Sequence, residues 1–383
     1  MKNFWVVPIL FAASQATGGG WEASTLDTSF MYQEGNYAEV GTASVTFNVK
    51  ATTQANTAKT KMAKNQSRTG LAFKLDYGNF DIGLASYMSG AILLSGKDAH
   101  AAGCNPVTAA VALCSVVPSA DVKMNSLALL GRYKLGEEFS IMAGANRYEL
   151  GSGAEVNALL GDYVVSGDAV APTFGAAYEK RDIALRVELI VQSKTKISNF
   201  KAQSKFAANG VATTLADVTG ESMTIPQSMK LNFQSGIAEG TLLFGTIHQA
   251  NWKDAQIDIP AIGAGSAGGG VNAINSDFAN KTTYSIGVGR KLTDQLSGIL
   301  SYSTEAGGGT TTSDPFTLRN GYQSVSLAAR YTMDNITITG GYNYTMPGDV
   351  DLAHESGGVP SGLTASYKNN NVSALGLKVG FSF

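Results

Sequence analysis

The stretch Ser373-Ala-Leu375-Gly-Leu377-Lys-Val379-Gly-Phe381-Ser-Phe383 decides how the rest of the chain is read. Every second residue is apolar, and the residues between are small or polar. A strand turns successive side chains to opposite faces, so Leu375, Leu377, Val379, Phe381 and Phe383 share one apolar face. A soluble antiparallel strand can alternate in the same way. The two are separated by whether the pattern recurs, and by how the repeats are joined.

It recurs along the whole chain. Period-two segments lie at 37–50, 71–77, 80–84, 127–134, from 139, 174–178, 183–192, 229–234, 241–251, 284–288, 296–302, 325–331, 336–345 and 373–383, which makes fourteen strands. Their connections alternate in length. Short turns stand at Gly78-Asn79, Gly136-Glu137, Lys180-Arg181, Ala238-Glu239, Thr293-Asp294 and Asp334-Asn335. Long polar or Gly-rich segments stand near 51–67, 92–121, 150–165, 198–220, 253–281, 306–319 and 347–370. Short turns on one side and long loops on the other are the outer-membrane pattern, and an even strand number leaves both ends on the short-turn side. The expected fold is an all-β transmembrane antiparallel barrel of about 14 strands spanning 37–383, with the alternating apolar face toward lipid.

Composition agrees. Charged residues are only 15% of the chain, with 44 Gly and 9 Pro. The mean hydropathy of +0.01 is too polar for a helical membrane protein, and no apolar run reaches the roughly 20 residues that a spanning helix needs. A net charge of −2 without a basic stripe gives nucleic acid nothing to bind. The Gly-rich runs 263–270 and 307–309 lack the helix and Lys of a phosphate cradle and read as loop tips. The histidines, His100, His248 and His354, form no readable catalytic spacing, so neither an enzyme nor a cofactor is expected.

Two segments precede the barrel. Residues 1–16 have a positive start, the apolar run Phe4 to Ala13 and small residues Ser14 and Ala16 at the cleavage positions, which is the form of a secretory signal. Residues 17–36 carry Trp21, Leu26, Phe30, Met31 and Tyr32, too apolar for a free tail. A barrel of this width either conducts water or is filled, so this segment is a candidate hatch and gate. Cys104 and Cys114 fall in one loop and, in an oxidising compartment, are a candidate disulfide; with one nearby His100 they are too few for a metal site.

Several stretches resemble the FadL/TodX-type channels for long-chain fatty acids and aromatic hydrocarbons. Ile225-Pro226-Gln-Ser-Met-Lys-Leu-Asn-Phe is similar to that family's Pro-led strand, and His248-Gln-Ala-Asn-Trp252-Lys-Asp-Ala-Gln-Ile to its strand ending in Trp. The stretches from Tyr284 to Gly298 and from Ser326 to Tyr342 resemble its late hairpins. In place of the family's Asn-Pro-Ala element stands Gly35-Asn36-Tyr37-Ala38-Glu39-Val40. The resemblance implies a fourteen-stranded barrel with a luminal N-terminal hatch. It implies passive uptake of a hydrophobic small molecule by loop capture, a luminal pocket and lateral release; an aqueous porin for small polar solutes is the alternative.

Ile92, Leu93, Leu94, Leu159 and Leu160 are the apolar candidates for the capture loops. Lys74, Arg132, Arg186 and Lys230, with Lys134, fall on the inward face. They either anchor a fatty carboxylate or form ion pairs with Asp76 and Glu188. The other expected partners are outer-membrane lipid and lipopolysaccharide, and the barrel-assembly machinery through Phe383. The expected state is a monomer.

Overall fold

A computed structural model of the chain describes residues 20–53, 57–96, 119–151, 154–158, 161–208, 211–217, 221–259, 274–314, 316–356 and 359–383. Fourteen strands form a closed antiparallel ring. In chain order they are β1 (Tyr37–Asn48), β2 (Gln66–Asp76), β3 (Phe80–Ser95), β4 (Ser119–Leu135), β5 (Phe139–Leu150), β6 (Gly161–Lys180) and β7 (Leu185–Gln192). The second half comprises β8 (Ser228–Ala238), β9 (Thr241–Ala250), β10 (Lys281–Lys291), β11 (Leu296–Glu305), β12 (Tyr322–Met333), β13 (Ile336–Pro347) and β14 (Asn371–Ser382). Each strand pairs with its successor, and β14 returns to β1 from Tyr37↔Ser382 to Asn48↔Asn371. Closure pairs the first strand with the last, so neither is left as the free edge that an open sheet would expose.

The outward face is apolar. Leu71, Phe73, Leu84, Leu129, Ile141, Phe174, Leu189, Ile286, Leu300, Leu327, Leu375 and Leu377 all project from the ring. So large a continuous apolar belt has no stable place in water, and hydrocarbon is the medium that suits it. Aromatic rings gather near its short-turn edge, where Phe139 packs 4.9 Å from Tyr178 and Phe381 stacks 5.6 Å from Phe383. Interfacial aromatic girdles are a barrel feature.

At the long-loop end the strands run on beyond the ring. Lys50–Thr53, Thr60–Lys61, Val350–Ser356, Val359–Tyr367 and Thr311–Thr312 make one small sheet, and Thr195–Lys196, Ser222–Ile225, Ile257–Ile259 and Ile274–Asn275 make another. Beneath them lies an apolar roof that includes Val45, Phe47, Val49, Met62, Phe316, Leu352 and Tyr367. Val45 and Phe47 therefore point inward, and the outward face of β1 carries Val40.

The 92–121 region expected as loop is strand at both ends, because β3 continues to Ser95 and β4 begins at Ser119. Here Ala91, Ile92, Leu93 and Leu94 are all buried. With both faces covered, the alternation that marks a half-buried strand disappears. The 150–165 region likewise contains the hairpin of Ala154–Ala158 with the start of β6.

Candidate functional site

The inward faces of β2, β3, β4 and β6 each place a small residue against the N-terminal segment. Ala72, Ala85, Ala128 and Ala177 are buried against the N-terminal segment, together with Leu130 and Met142. Gly83 makes the same allowance, since a Cβ there would strike the Met31 sulfur and come within 2.8 Å of the Phe30 ring. The space these residues leave is filled by Leu26, Phe30, Met31 and Tyr32, all at most 7% exposed. Trp21 lies further toward the long-loop end with no exposed surface. Its ring rests on Gly90, where an added Cβ would approach to 2.6 Å.

Buried backbone must find partners, and the segment from Gly20 to Asn36 finds them on strands spaced around the ring. Arg132 of β4 donates to the Met31 carbonyl at 2.7 Å and also to Ser140 and Glu179. Lys230 of β8 donates to the Leu26 carbonyl and to Thr25 Oγ1. Lys74 of β2 donates to the Gln33 carbonyl. Glu188 of β7 accepts from Thr28 Oγ1 at 2.8 Å and from the Tyr32 hydroxyl at 2.7 Å. Lys378 of β14 bridges Asp27 at 3.5 Å and Glu39 at 3.3 Å.

The Tyr32 ring lies between two guanidinium groups, with Arg132 Cζ 4.1 Å and Arg186 Cζ 4.2 Å from its centroid. Of the inward cations singled out from the sequence, Lys74, Arg132, Arg186 and Lys230 are thus engaged by the segment itself, Arg186 also donates to Gln234, and Lys134 pairs instead with Asp76 and Asp81. Glu22 faces His248 of β9 across 3.6 Å. Burial pushes the Glu22 carboxyl up to about 7, against the pull of the Lys230 ammonium.

Among the described residues the wall is incomplete between β2 and β3. β2 pairs with β1 over Gln66–Lys74, but with β3 only from Leu71↔Ser86 to Asp76↔Asp81. β3 pairs with β4 along its whole length, with a bulge at Ser89 between Met88↔Asn125 and Gly90↔Met124. A bulge bends its strand, and above Ser86 the edge of β3 turns from β2 toward the N-terminal segment. Ala23 N–H donates to the Ser89 carbonyl at 2.7 Å, and Ala91 N–H donates to the Trp21 carbonyl at 2.9 Å. Arg68 of β2 reaches across to the Ala23 carbonyl. Higher still the seam is resumed by the Ala63↔Leu94 bridge and by Lys64 N–H donating to the Leu93 carbonyl at 3.1 Å.

Two cavities meet here. One of about 190 Å³ occupies the break, bordered by Leu26, Asp27, Arg68, Gly70, Ser86 and Met88. The other, of about 50 Å³, lies toward the roof, between Trp21, Met124, Ile190, Ile225 and Trp252. Ser24, Thr25, Leu26 and Tyr87 border both.

Ile92, Leu93 and Leu94 lie in β3 and are buried, Ile92 and Leu94 within the roof cluster that also holds Trp21. Residues 1–19, Cys104, Cys114, Leu159 and Leu160 lie outside the described residues. Lys378, Tyr87 and the Ser89 bulge were not picked out from the sequence. Counting inward positions on β14 would have found Lys378; the bulge leaves no mark in a single sequence.

No family model matches the chain, and no curated protein matches it in sequence. Solved structures do match in shape. A FadL homologue of Pseudomonas aeruginosa is 13% identical, covers 93% of this chain with 92% of its own, and superposes with a TM-score of 0.67. The toluene transporter TbuX of Ralstonia pickettii is 10% identical with 96% coverage of both chains and a TM-score of 0.61. The toluene transporter TodX of Pseudomonas putida is 13% identical, covers 97% of this chain and 98% of its own, with a TM-score of 0.57. Strand number, ring order and these superpositions together give the chain the FadL/TodX-type barrel fold.

Proposed function

We propose that this protein is an outer-membrane channel for passive entry of hydrophobic small molecules, with the segment 17–36 as its hatch and the break between β2 and β3 as its exit. The observation that carries the reading is that break: pairing stops at Leu71↔Ser86, and a cavity bordered by both luminal and outward-facing residues opens above it. A ligand leaving there would pass sideways from a partly apolar pocket into lipid. The segment blocks the direct route through the lumen, held by Lys74, Arg132, Arg186 and Lys230, and this suits a path for apolar cargo better than an aqueous pore. The fold neighbours named as toluene transporters support the same class. Fatty acids and aromatic hydrocarbons are the two cargo types this reading starts from.

The test uses Ser86→Trp. Ser86 lies on the lipid side of β3 at the mouth of the break, and a Trp on a barrel exterior is well tolerated. Uptake of toluene and of a long-chain fatty acid into proteoliposomes is expected to fall at least several-fold, with the barrel still heat-modifiable on gels. Unchanged uptake of both would remove the lateral exit from the reading.

A further inference from the structure

The smaller cavity has chemistry that a purely apolar cargo would leave unused. Trp21 Nε1, a donor, and Thr173 Oγ1, a donor and acceptor, both belong to side chains that border it. Both side chains are at most 1% exposed, and neither atom has a hydrogen-bond partner among the described residues. Behind them, Asn146 donates to the hydroxyls of Tyr87 at 2.6 Å and Tyr148 at 2.8 Å, and these tyrosines also border the cavity. A buried polar group without a partner is costly, and each one in a folded protein calls for an explanation.

The charges nearby decide what sort of partner fits. Lys230 is the cation that borders the cavity, and its ammonium is already engaged by the Leu26 carbonyl and Thr25. Glu22 borders the same space beside His248. A carboxylate entering here would sit beside the Glu22 carboxyl group and compete for an ammonium that already has two partners. A neutral hydroxyl meets neither penalty. Space points the same way. The site and the 190 Å³ cavity share Ser24, Thr25, Leu26 and Tyr87 as their common border, and a dry cavity of about 150 Å³ is enough to hold a benzene ring.

Building on the channel reading above, we propose that the preferred cargo is a compact apolar molecule bearing one neutral hydrogen-bonding group, such as a phenol, its ring in the larger cavity and its hydroxyl against Trp21 and Thr173. A bare hydrocarbon leaves those atoms unpaired, and a site built to bond a hydroxyl discriminates against the analogue that lacks one.

The experiment compares toluene, p-cresol and p-toluate, which share a ring and differ in one substituent, by equilibrium binding to the full-length detergent-solubilised protein. Binding of p-cresol is expected to be about tenfold tighter than that of either other compound, the order of one hydrogen bond. Thr173→Val, which keeps the shape and removes the hydroxyl, is expected to bring p-cresol to within about twofold of toluene, and Thr173→Ser to restore the difference. Equal binding of toluene and p-cresol, or a ratio untouched by Thr173→Val, overturns the proposal and leaves the channel reading standing. Binding led by p-toluate overturns it in favour of an acid cargo. Failure of all three compounds to bind the protein or to enter proteoliposomes overturns both.

Discussion

Tyr32 is the most informative residue to change, because two substitutions there divide its contacts. Tyr32→Phe removes only the hydroxyl that donates to Glu188 at 2.7 Å. A hydrogen bond to an ionised group contributes about 1.5–3 kcal/mol. At about 1.4 kcal/mol per factor of ten, the undocked fraction of the segment should rise roughly 10- to 150-fold. Tyr32→Ala also removes the ring from between Arg132 and Arg186. The two cation–π contacts contribute about 0.5–2 kcal/mol each, and the buried ring about 1.5–3 kcal/mol more. With the hydroxyl the loss is on the order of 4–10 kcal/mol before the neighbours relax. Single-channel recording in planar bilayers reads the result directly. The unmodified protein should be nearly silent, Tyr32→Phe should show brief openings, and Tyr32→Ala should be open for much of the record. If both variants form heat-modifiable barrels and are as silent as the unmodified protein, then Tyr32 does not hold the segment in a position that closes the lumen.

Three further outcomes follow from the same geometry. Gly90→Val should push the Trp21 ring off β3, because the added Cβ has 2.6 Å where contact needs more; a change in tryptophan emission and in quenching by acrylamide checks this. Burial holds the Glu22 carboxyl at about 7 in the docked segment against 4.5 when free. The docked form thus binds the proton more tightly, so the contribution of Glu22 to docking should be full at and below pH 4.5, fall up to about pH 7 and then level off. Glu22→Gln should flatten that dependence in bilayer recordings. Deleting residues 18–35 should raise conductance and admit small sugars in liposome swelling while lowering uptake of the apolar cargo; an unchanged swelling rate would make the segment a tail and not a plug.

Much of the wall could be read from the sequence, because a half-buried strand must alternate. The terminal strand shows this best, with Leu375, Leu377 and Phe381 outward as the pattern requires. Alternation gives the phase of a strand but not which side is out. In β1 the apolar set Val45 and Phe47 faces the roof cluster, inward. Where both faces are covered the signal vanishes, which is why 91–94 read as loop. Trp21 and Tyr32 stood out because their apolar area had no evident shelter. Their partners did not stand out, since Glu188 lies 156 residues from Tyr32 and only the closed ring brings them together. The break between β2 and β3 is a property of pairing, and a single strand's sequence does not record which neighbour it lacks.

The seam between β1 and β14 carries an implication for biogenesis. Lys378 bonds Asp27 from 351 positions away and Glu39 from 339, and Phe383 N–H donates to the Asn36 carbonyl at 3.0 Å. These contacts tie the internal segment to the strand that is synthesised last. Contacts of such long sequence separation form late, so this anchor of the segment is set only after β14 has been made and has met β1. The lysine that completes the wall thus also completes the seating of what lies inside it.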